Sequence, residues 1–169
     1  MITTERLLLR PLETSDAGPL AELFADPDVM RYSDDGPHQD NEWVGDWVSA
    51  RIKDARESGF GVLAVTDRAN GGILGYCGLV THAELDGQPE ISIGYRLIKR
   101  YWGHGFGSEA ASAVMAHAHS ALRIKRVVAT IDPHNDASLR LAKKIGMVYE
   151  KDVMLPGYTY PDHLYTSVD

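Results

Sequence analysis

Cysteine is almost missing from this chain, since Cys77 is the single one among 169 residues. A lone thiol excludes an internal disulfide and any zinc site built from several cysteines. Basic residues are outnumbered too: the chain has 17 lysines and arginines against 24 aspartates and glutamates, which gives a net charge of −7. A protein that binds nucleic acid regardless of sequence needs a basic face to displace counterions. We therefore expect no nucleic-acid partner.

Long apolar runs are missing as well. No stretch approaches the roughly 20 residues that a helix needs to cross a bilayer. The opening MITTERLLLR has neither the basic leader nor the apolar length of a signal peptide. We therefore expect a cytoplasmic protein with no membrane partner. The 169 residues, of which 44% are hydrophobic, suit one globular domain over 1–169.

The first third of the chain predicts one strand and two helices. Arg6–Leu12 carries the consecutive leucines of a buried strand. A helix is expected to follow Asp16, whose side chain can cap it, and to end at Asp26, because a proline comes next. A second helix is expected from Asp40 to Ser58, where a glycine follows.

The middle of the chain predicts an antiparallel meander. Three apolar segments, Phe60–Val65, Ile73–Val80 and Ile91–Ile98, are rich in β-branched and aromatic residues. An Asn-Gly-Gly turn at 70–72 and an Asp-Gly turn at 86–87 separate them, and both are typical hairpin turns.

The last third predicts helices that alternate with strands. An alanine-rich helix over 107–122 precedes a strand at Val127–Ile131, and a helix over Asp136–Ile145 precedes two short strands. A strand, a helix and a strand in succession indicate a right-handed parallel crossover between Ile91–Ile98 and Val127–Ile131. The expected fold class is α/β (α+β): one mixed, mostly antiparallel sheet with helices on both faces.

A glycine-rich segment before the alanine-rich helix indicates a phosphate site. It runs RYWGHGFGSE from Arg100 to Glu109. Gly103, Gly105 and Gly107 have no Cβ, so their backbone can approach a ligand closely. Free N–H groups at the helix start favour phosphate oxygens, and Arg100 can add a charged contact. A purely structural turn is the alternative.

Two common phosphate-binding motifs do not fit this segment. A nucleoside-triphosphate loop needs lysine and then serine or threonine after its last glycine, whereas Ser108 and Glu109 follow here. A dinucleotide site needs its glycine loop after the first strand of a parallel sheet, whereas this loop follows a late meander strand.

Six segments stand out when they are taken in order along the chain: Thr4–Leu12, Asp26–Met30, Ile93–Tyr95, the Arg-x-x-Gly-x-Gly loop at 100–105, Asp132–Asn135 and Ile145–Met147. Together they resemble the GCN5-related N-acetyltransferase (GNAT) superfamily and, within it, the ribosomal-protein alanine acetyltransferases. The resemblance covers nearly the whole chain.

The resemblance implies acetyl-CoA as the cofactor and CoA as the product. In the family, the glycine loop cradles the pyrophosphate, and the preceding strand pairs its backbone with the pantetheine arm. Asn135 would bond the arm beside the next strand, or else cap the following helix. The implied cofactor-binding residues are Leu97, Ile98, Arg100, Trp102, Gly103, His104, Gly105, Phe106, Gly107, Ser108 and Asn135.

The resemblance also implies direct acetyl transfer to an amine, with an amide near Leu97 stabilising the oxyanion. Relatives often carry a glutamate where Ser92 stands, so Glu90, two residues earlier on the same face, is the candidate base. A solvated strand-end carboxylate is the alternative. Many members carry a tyrosine acid where Ala142 stands, so Ser138 is the candidate acid for the CoA thiolate, or simply a first-turn helix residue.

The acceptor site is expected in the least standard segments, the connection over 30–38 and the chain end. Acidic and aromatic side chains there could attract and enclose a cationic amine, and a solvated acidic loop is the alternative. The candidates are Tyr32, Asp34, Asp35, His82, Tyr158 and Tyr160.

The predicted function is acetyl transfer from CoA to a primary amine, by analogy the α-amine of a protein N-terminus. A small amine, polyamine or antibiotic is an alternative acceptor, since fold likeness does not fix the substrate. A CoA-binding regulator without turnover and a nucleotide-binding protein are alternatives of other classes. No metal is expected, because His117 and His119 lie two apart in a helix and point in different directions. The protein is expected to be a monomer or homodimer.

Overall fold

A computed structural model describes residues 1–33, 36–38 and 40–167. They form eight strands and four α-helices, with short 3₁₀ turns at Thr14–Asp16 and Lys99–Tyr101. In chain order the elements are β1 (Ile2–Thr3), β2 (Leu7–Pro11), α1 (Ala17–Ala25), α2 (Asn41–Ser58), β3 (Val62–Asp67), β4 (Ile73–Leu85), β5 (Gln88–Leu97), α3 (Phe106–Ser120), β6 (Val128–Ile131), α4 (Asp136–Lys144), β7 (Met147–Val153) and β8 (Asp162–Ser167).

The strands lie in one sheet of order β1-β2-β3-β4-β5-β6-β8-β7. Neighbouring strands are antiparallel except β5 and β6, which are parallel and are joined through α3. The predicted fold class, a mixed and mostly antiparallel sheet, is confirmed.

Helices cover both faces of the sheet, as predicted. Helices α1 and α2 pack on one face through residues such as Leu20 and Val48 against Tyr76. Helices α3 and α4 pack on the other, where buried alanines such as Ala110 let α3 lie close to the strands. Because side chains alternate along a strand, the odd-numbered residues 93, 95 and 97 of β5 face α3 and α4. Its even-numbered residues 90, 92 and 96 face α1 and α2.

The β4–β5 hairpin is longer than the sequence predicts. Strand β4 runs on to Leu85 and β5 begins at Gln88, with His82 opposite Glu90 in the register. The polar side chains in this part of the hairpin lack the apolar pattern that marks a strand. The Asp-Gly turn at 86–87 does close the hairpin, with φ of 52° and 83°. In the described part of the chain, no helix has both the length and the apolar character to cross a bilayer.

Candidate active site

Strands β5 and β6 separate toward their carboxyl ends. Their register pair is Ser92 opposite Val128, the first residue of β6. Among the described residues, no further register pair joins 93–97 to 129–131. Backbone groups along these two edges are therefore free to pair with an extended ligand. We call this opening the splay, with its closed end at Ser92.

The amide of Leu97 points into the splay. Its neighbour Ile98 donates its N–H to Leu74 O on β4 at 2.8 Å, and hydrogen-bonding directions alternate along an antiparallel strand. The N–H of Leu97 therefore lies on the β6 side, as the proposed oxyanion donor requires. The indole Nε1 of Trp102 donates to Leu97 O at 2.8 Å. Ile98, by contrast, has a buried side chain and an amide that β4 already uses.

The glycine loop forms a cradle of backbone donors beside the splay. Gly103 and Gly105 have left-handed φ values of 79° and 81°, which only glycine adopts at little cost. Gly105 is the N-cap of α3 and has no side chain to bond the first turn, while Glu109 N–H donates back to Gly105 O at 3.0 Å. Nothing lies within 4 Å of the position that a Cβ on Gly103 would take. The amides without a helical acceptor are those of Phe106, Gly107 and Ser108.

Arg6 supplies positive charge beside this cradle, and the sequence analysis missed it. Its Nε donates to Glu109 at 2.7 Å and its Nη1 to His104 O at 3.0 Å, while its Cζ lies 4.3 Å from the ring centroid of Phe106. Thr4 Oγ1 donates to the same carboxylate at 2.6 Å. Burial opposes the charged form, but these hydrogen bonds lower the pKa of Glu109. The Thr-x-Arg spacing near the start of the chain was the available signal.

Arg100 is directed elsewhere. Its guanidinium forms an ion pair with Glu22 of α1, and its Cζ lies 4.9 Å from the ring centroid of Tyr101. The predicted phosphate contact of Arg100 stays a prediction, and Arg6 is the cation that touches the glycine loop.

Two hydroxyl groups meet on the α3/α4 face of the splay. Tyr95 donates its O–H to Ser138 Oγ at 3.0 Å, and Ser138 lies in the first turn of α4. Burial raises the pKa of Tyr95, so its hydroxyl stays protonated at neutral pH. The Oδ1 of Asn135 accepts from Ser138 N at 3.1 Å, so the capping alternative for Asn135 is observed. Its predicted contact with the CoA arm stays a prediction.

Glu90, the candidate base, is engaged in the structure. It is only 6% exposed, so the alternative of a solvated carboxylate is wrong. Arg126 Nε donates to its Oε1 at 2.9 Å and Gln88 Nε2 at 2.6 Å, and Arg126 Nη1 also reaches Glu150 at 2.7 Å. The Oε1 of Glu90 is thus already occupied by hydrogen bonds from two neighbouring side chains. The catalytic role of Glu90 stays a prediction.

His82 occupies a different place from the other acceptor candidates. Its Nε2 lies 2.7 Å from Ser92 Oγ at the closed end of the splay. Burial lowers the pKa of His82, although the nearby charge of Glu90 opposes the shift. The position at which relatives carry a glutamate is therefore filled by a serine in contact with an imidazole.

Tyr32 and Tyr160, two further acceptor candidates, lie at the open end of the splay. The hydroxyl of Tyr32 donates to His134 O at 2.9 Å, and that of Tyr160 to Asp132 Oδ2 at 2.7 Å. The turn after β6 thus joins the α1–α2 connection to the loop before β8, where Tyr158 also lies. Asp34 and Asp35, also predicted to bind the acceptor, lie outside the described residues.

The described ranges contain no cluster of side chains suited to a metal ion. No three histidine, cysteine, aspartate or glutamate side chains among them are grouped so as to hold an ion. Cys77 is buried in the core, and this burial raises the pKa of its thiol far above the ordinary value.

Comparison with protein families and curated proteins points to one chemistry. A family described as acetyltransferase (GNAT) domain matches residues 6–148. The chain is similar to the protein YkkB of Bacillus subtilis (strain 168), with 35% identity over 153 residues that cover 90% of this chain and 87% of YkkB. It is also similar to spermidine N(1)-acetyltransferase of Escherichia coli (strain K12), with 25% identity over 91% of this chain and 79% of that enzyme.

Solved structures show the same fold. An acetyltransferase of the GNAT family from Bacillus anthracis superposes with a TM-score of 0.81 and 26% identity, covering 98% of this chain and 95% of that one. A ribosomal L7/L12 alpha-N-protein acetyltransferase in complex with coenzyme A superposes with a TM-score of 0.80 and 19% identity, covering 98% and 95%.

Proposed function

This chain belongs to the acetyltransferase (GNAT) family and is an N-acetyltransferase, and we propose that residues 1–169 form one domain that acetylates the α-amine of a protein N-terminus. The observation that supports CoA binding is that the free amides at the start of α3 lie beside the splay between β5 and β6. The cradle suits a diphosphate, because N–H donors and the positive end of a helix dipole converge there. The exposed Trp102 and His104 flank the same loop.

The reacting end of acetyl-CoA is proposed to lie in the splay. The thioester supplies the activated acetyl group. The edge of β5 pairs with the extended arm, and the Leu97 N–H stabilises negative charge on the thioester oxygen as the amine adds. Ser138 Oγ donates a proton to the departing thiolate and recovers one from Tyr95, with which it is already hydrogen-bonded.

Removing either hydroxyl of the Tyr95–Ser138 pair is expected to lower kcat only modestly. Ser138→Ala and Tyr95→Phe should each lower kcat about 10-fold, because a thiol of pKa roughly 8.5 leaves tolerably well without an acid. The KM for acetyl-CoA should change little, since neither hydroxyl is proposed to bind the diphosphate. Steady-state kinetics at saturating acceptor checks this. Tyr149→Phe, which alters an exposed hydroxyl bonded to Asp152, is the matched control, and unchanged kcat in both test variants would refute the acid role.

The second candidate acceptor is a polyamine or another small amine. A similar protein is a spermidine N(1)-acetyltransferase, and the net charge of −7 favours a cationic acceptor. Against this, the similar structures include an acetyltransferase that acts on a protein α-amine.

An acceptor screen with thiol-release detection tests the proposal. The panel is a peptide with a free N-terminal alanine, the same peptide with a blocked N-terminus and one lysine, spermidine, and an aminoglycoside. We expect the highest kcat/KM for the free N-terminal peptide. Faster turnover of spermidine would replace the proposed acceptor with the second candidate. No acetyl transfer to any amine would contradict the proposal for this chain.

A further inference from the structure

We propose that Arg96 binds the carbonyl oxygen next to the attacking amine, so that this chain recognises the first residue of a peptide by its amine and its acyl oxygen together. The inference rests on the proposed transfer of acetyl to a protein N-terminus, and it specifies how that acceptor is selected. A polyamine or another alkyl amine carries no such oxygen.

Arg96 lies beside the reacting end of the splay. It directly precedes Leu97, whose amide is proposed to hold the thioester oxygen, and consecutive Cα atoms are about 3.8 Å apart. Because side chains alternate along β5, that of Arg96 projects to the α1/α2 face, whereas that of Tyr95 projects to the opposite face, where it meets Ser138. An amine that approaches the thioester from the α1/α2 side, away from the proposed acid, therefore comes close to Arg96.

Tyr76 holds the guanidinium in place. Arg96 Nη1 donates to the Tyr76 hydroxyl at 2.6 Å, and the two residues lie opposite each other in the β4–β5 register. Tyr76 is buried, and its ring centroid lies 4.9 Å from that of Trp47 on α2 and 6.0 Å from that of Phe24 on α1. Because a packed aromatic cluster fixes the guanidinium in advance, less conformational entropy is lost when a ligand binds to it.

Arg96 has unused hydrogen-bond donors. Lys99 and Arg100, the next two cations along the chain, each form an ion pair with an acidic side chain. Among the described residues, no carboxylate forms an ion pair with Arg96, and its side chain makes one hydrogen bond, to Tyr76. A guanidinium has five N–H donors in a planar fork, which suits the oxygen of a carbonyl or carboxylate group. Arg96 is partly buried, so its free donors favour such a ligand.

The surface next to Arg96 has room for an acceptor chain. Gly94, two residues earlier, faces α1/α2 as well. Within the described part of the chain, nothing beyond its sequence neighbours lies within 4 Å of the position that a Cβ on Gly94 would take. Gly78 lies opposite Gly94 in the register and also has no side chain. A peptide that places its first carbonyl at Arg96 can therefore continue over these two glycines.

The charge of Arg96 discriminates against a polyamine. A polyamine carries further ammonium groups, which the guanidinium repels, whereas a peptide N-terminus carries one amine and a carbonyl oxygen of partial negative charge. A cation near the reacting amine also disfavours its ammonium form, and the neutral form is the nucleophile. The local charge at this site thus opposes the preference for cationic acceptors that the net charge of −7 suggests.

Steady-state kinetics with matched acceptors tests the role of Arg96. The acceptors are a peptide with a free N-terminal alanine, alaninamide, free alanine and propargylamine, whose amine resembles an α-amine in basicity but has no oxygen beside it. Arg96→Gln should lower kcat/KM for the peptide and for alaninamide about 10- to 100-fold, as expected for the loss of a hydrogen bond from a charged donor. The change should lie mainly in KM. The kcat/KM for propargylamine should stay within about threefold of the wild-type value.

Two further variants separate binding of the acceptor oxygen from a structural role. Arg96→Lys keeps the charge but not the planar fork, so it should recover part of the lost kcat/KM for the peptide. Arg56→Gln changes an exposed arginine in the last turn of α2, so this matched control should behave as the wild type does. A CoA-induced rise in Tm verifies that each variant folds and binds CoA.

An equal loss of kcat/KM for the peptide and for propargylamine would overturn the proposal, since Arg96 would then act on the fold or on CoA. Full kcat/KM for the peptide in Arg96→Gln would overturn it as well. A wild type that prefers free alanine to the peptide, with the same loss in Arg96→Gln, would support the role of Arg96 and refute a protein N-terminus as the acceptor. If the wild type acetylates none of these amines, the proposed function fails, and the role of Arg96 fails with it.

Discussion

Gly105→Val is expected to abolish the stabilisation of this protein by CoA. Gly105 has φ of 81°, and a side chain in this left-handed region costs roughly 1–2 kcal/mol, more for a β-branched residue. A Cβ there would lie 3.5 Å from Arg6 Nη2, an ordinary van der Waals contact, so the expected effect comes from the backbone conformation. The loop must therefore shift, and the amides at the start of α3 lose their alignment on the diphosphate.

A thermal-shift experiment with CoA, ATP and NAD measures this effect. For the wild type, CoA at 100 times its Kd adds about 2.7 kcal/mol, or a rise in Tm of about 5–10 °C for a domain of this size. ATP and NAD should add nothing comparable, and Gly105→Val should lose the response to CoA. The control is Gly71→Val in the β3–β4 turn, which has the similar φ of 76° and open space around it. If Gly105→Val kept its CoA response, the loop would be merely structural.

Arg126→Gln is expected to destabilise the fold by about 2–3 kcal/mol, because it leaves the buried carboxylate of Glu90 without its ionic partner. The penalty is below that of a fully buried pair, since the Arg126 side chain is 38% exposed and that of Glu90 only 4%. Arg126 also links Glu150 of β7 and Thr166 of β8, so three strands lose a common partner. Adding Glu90→Gln should recover most of the loss, because the buried charge left without a partner is then removed.

Unfolding by urea at pH 7 measures these differences as shifts of the midpoint. Lys151→Gln is the control, since it removes an exposed ion pair with Asp86, and exposed ion pairs contribute little to stability. An Arg126→Gln variant that is as stable as the wild type would show that Glu90 does not depend on the arginine. If Glu90→Gln then also changed the pH dependence of kcat, the result would support Glu90 as the base.

Elements defined by neighbouring residues were predictable from the sequence. The glycine loop and the start of α3 depend on left-handed backbone at Gly103 and Gly105 and on free N–H groups at a helix end. The parallel pairing of β5 with β6 followed from the order of strand, helix and strand. The part of the β4–β5 hairpin between Val80 and Ile91 was not predicted as strand, because its side chains are polar. Strand pairing there continues the register of the apolar part of the hairpin.

By itself, then, the sequence determined the fold class and the glycine loop before α3, because short-range backbone preferences and apolar periodicity specify them. The chemistry of the family followed from the resemblance that its motifs carry. The tertiary structure alone decided which side chains meet. It pairs Arg6 with Glu109, 103 positions away, Tyr95 with Ser138, 43 away, and Arg126 with Glu90, 36 away. It also brings His82 to Ser92 across a hairpin. These contacts depend on strand order and register, which bring together side chains whose separation along the chain carries no sign of their proximity.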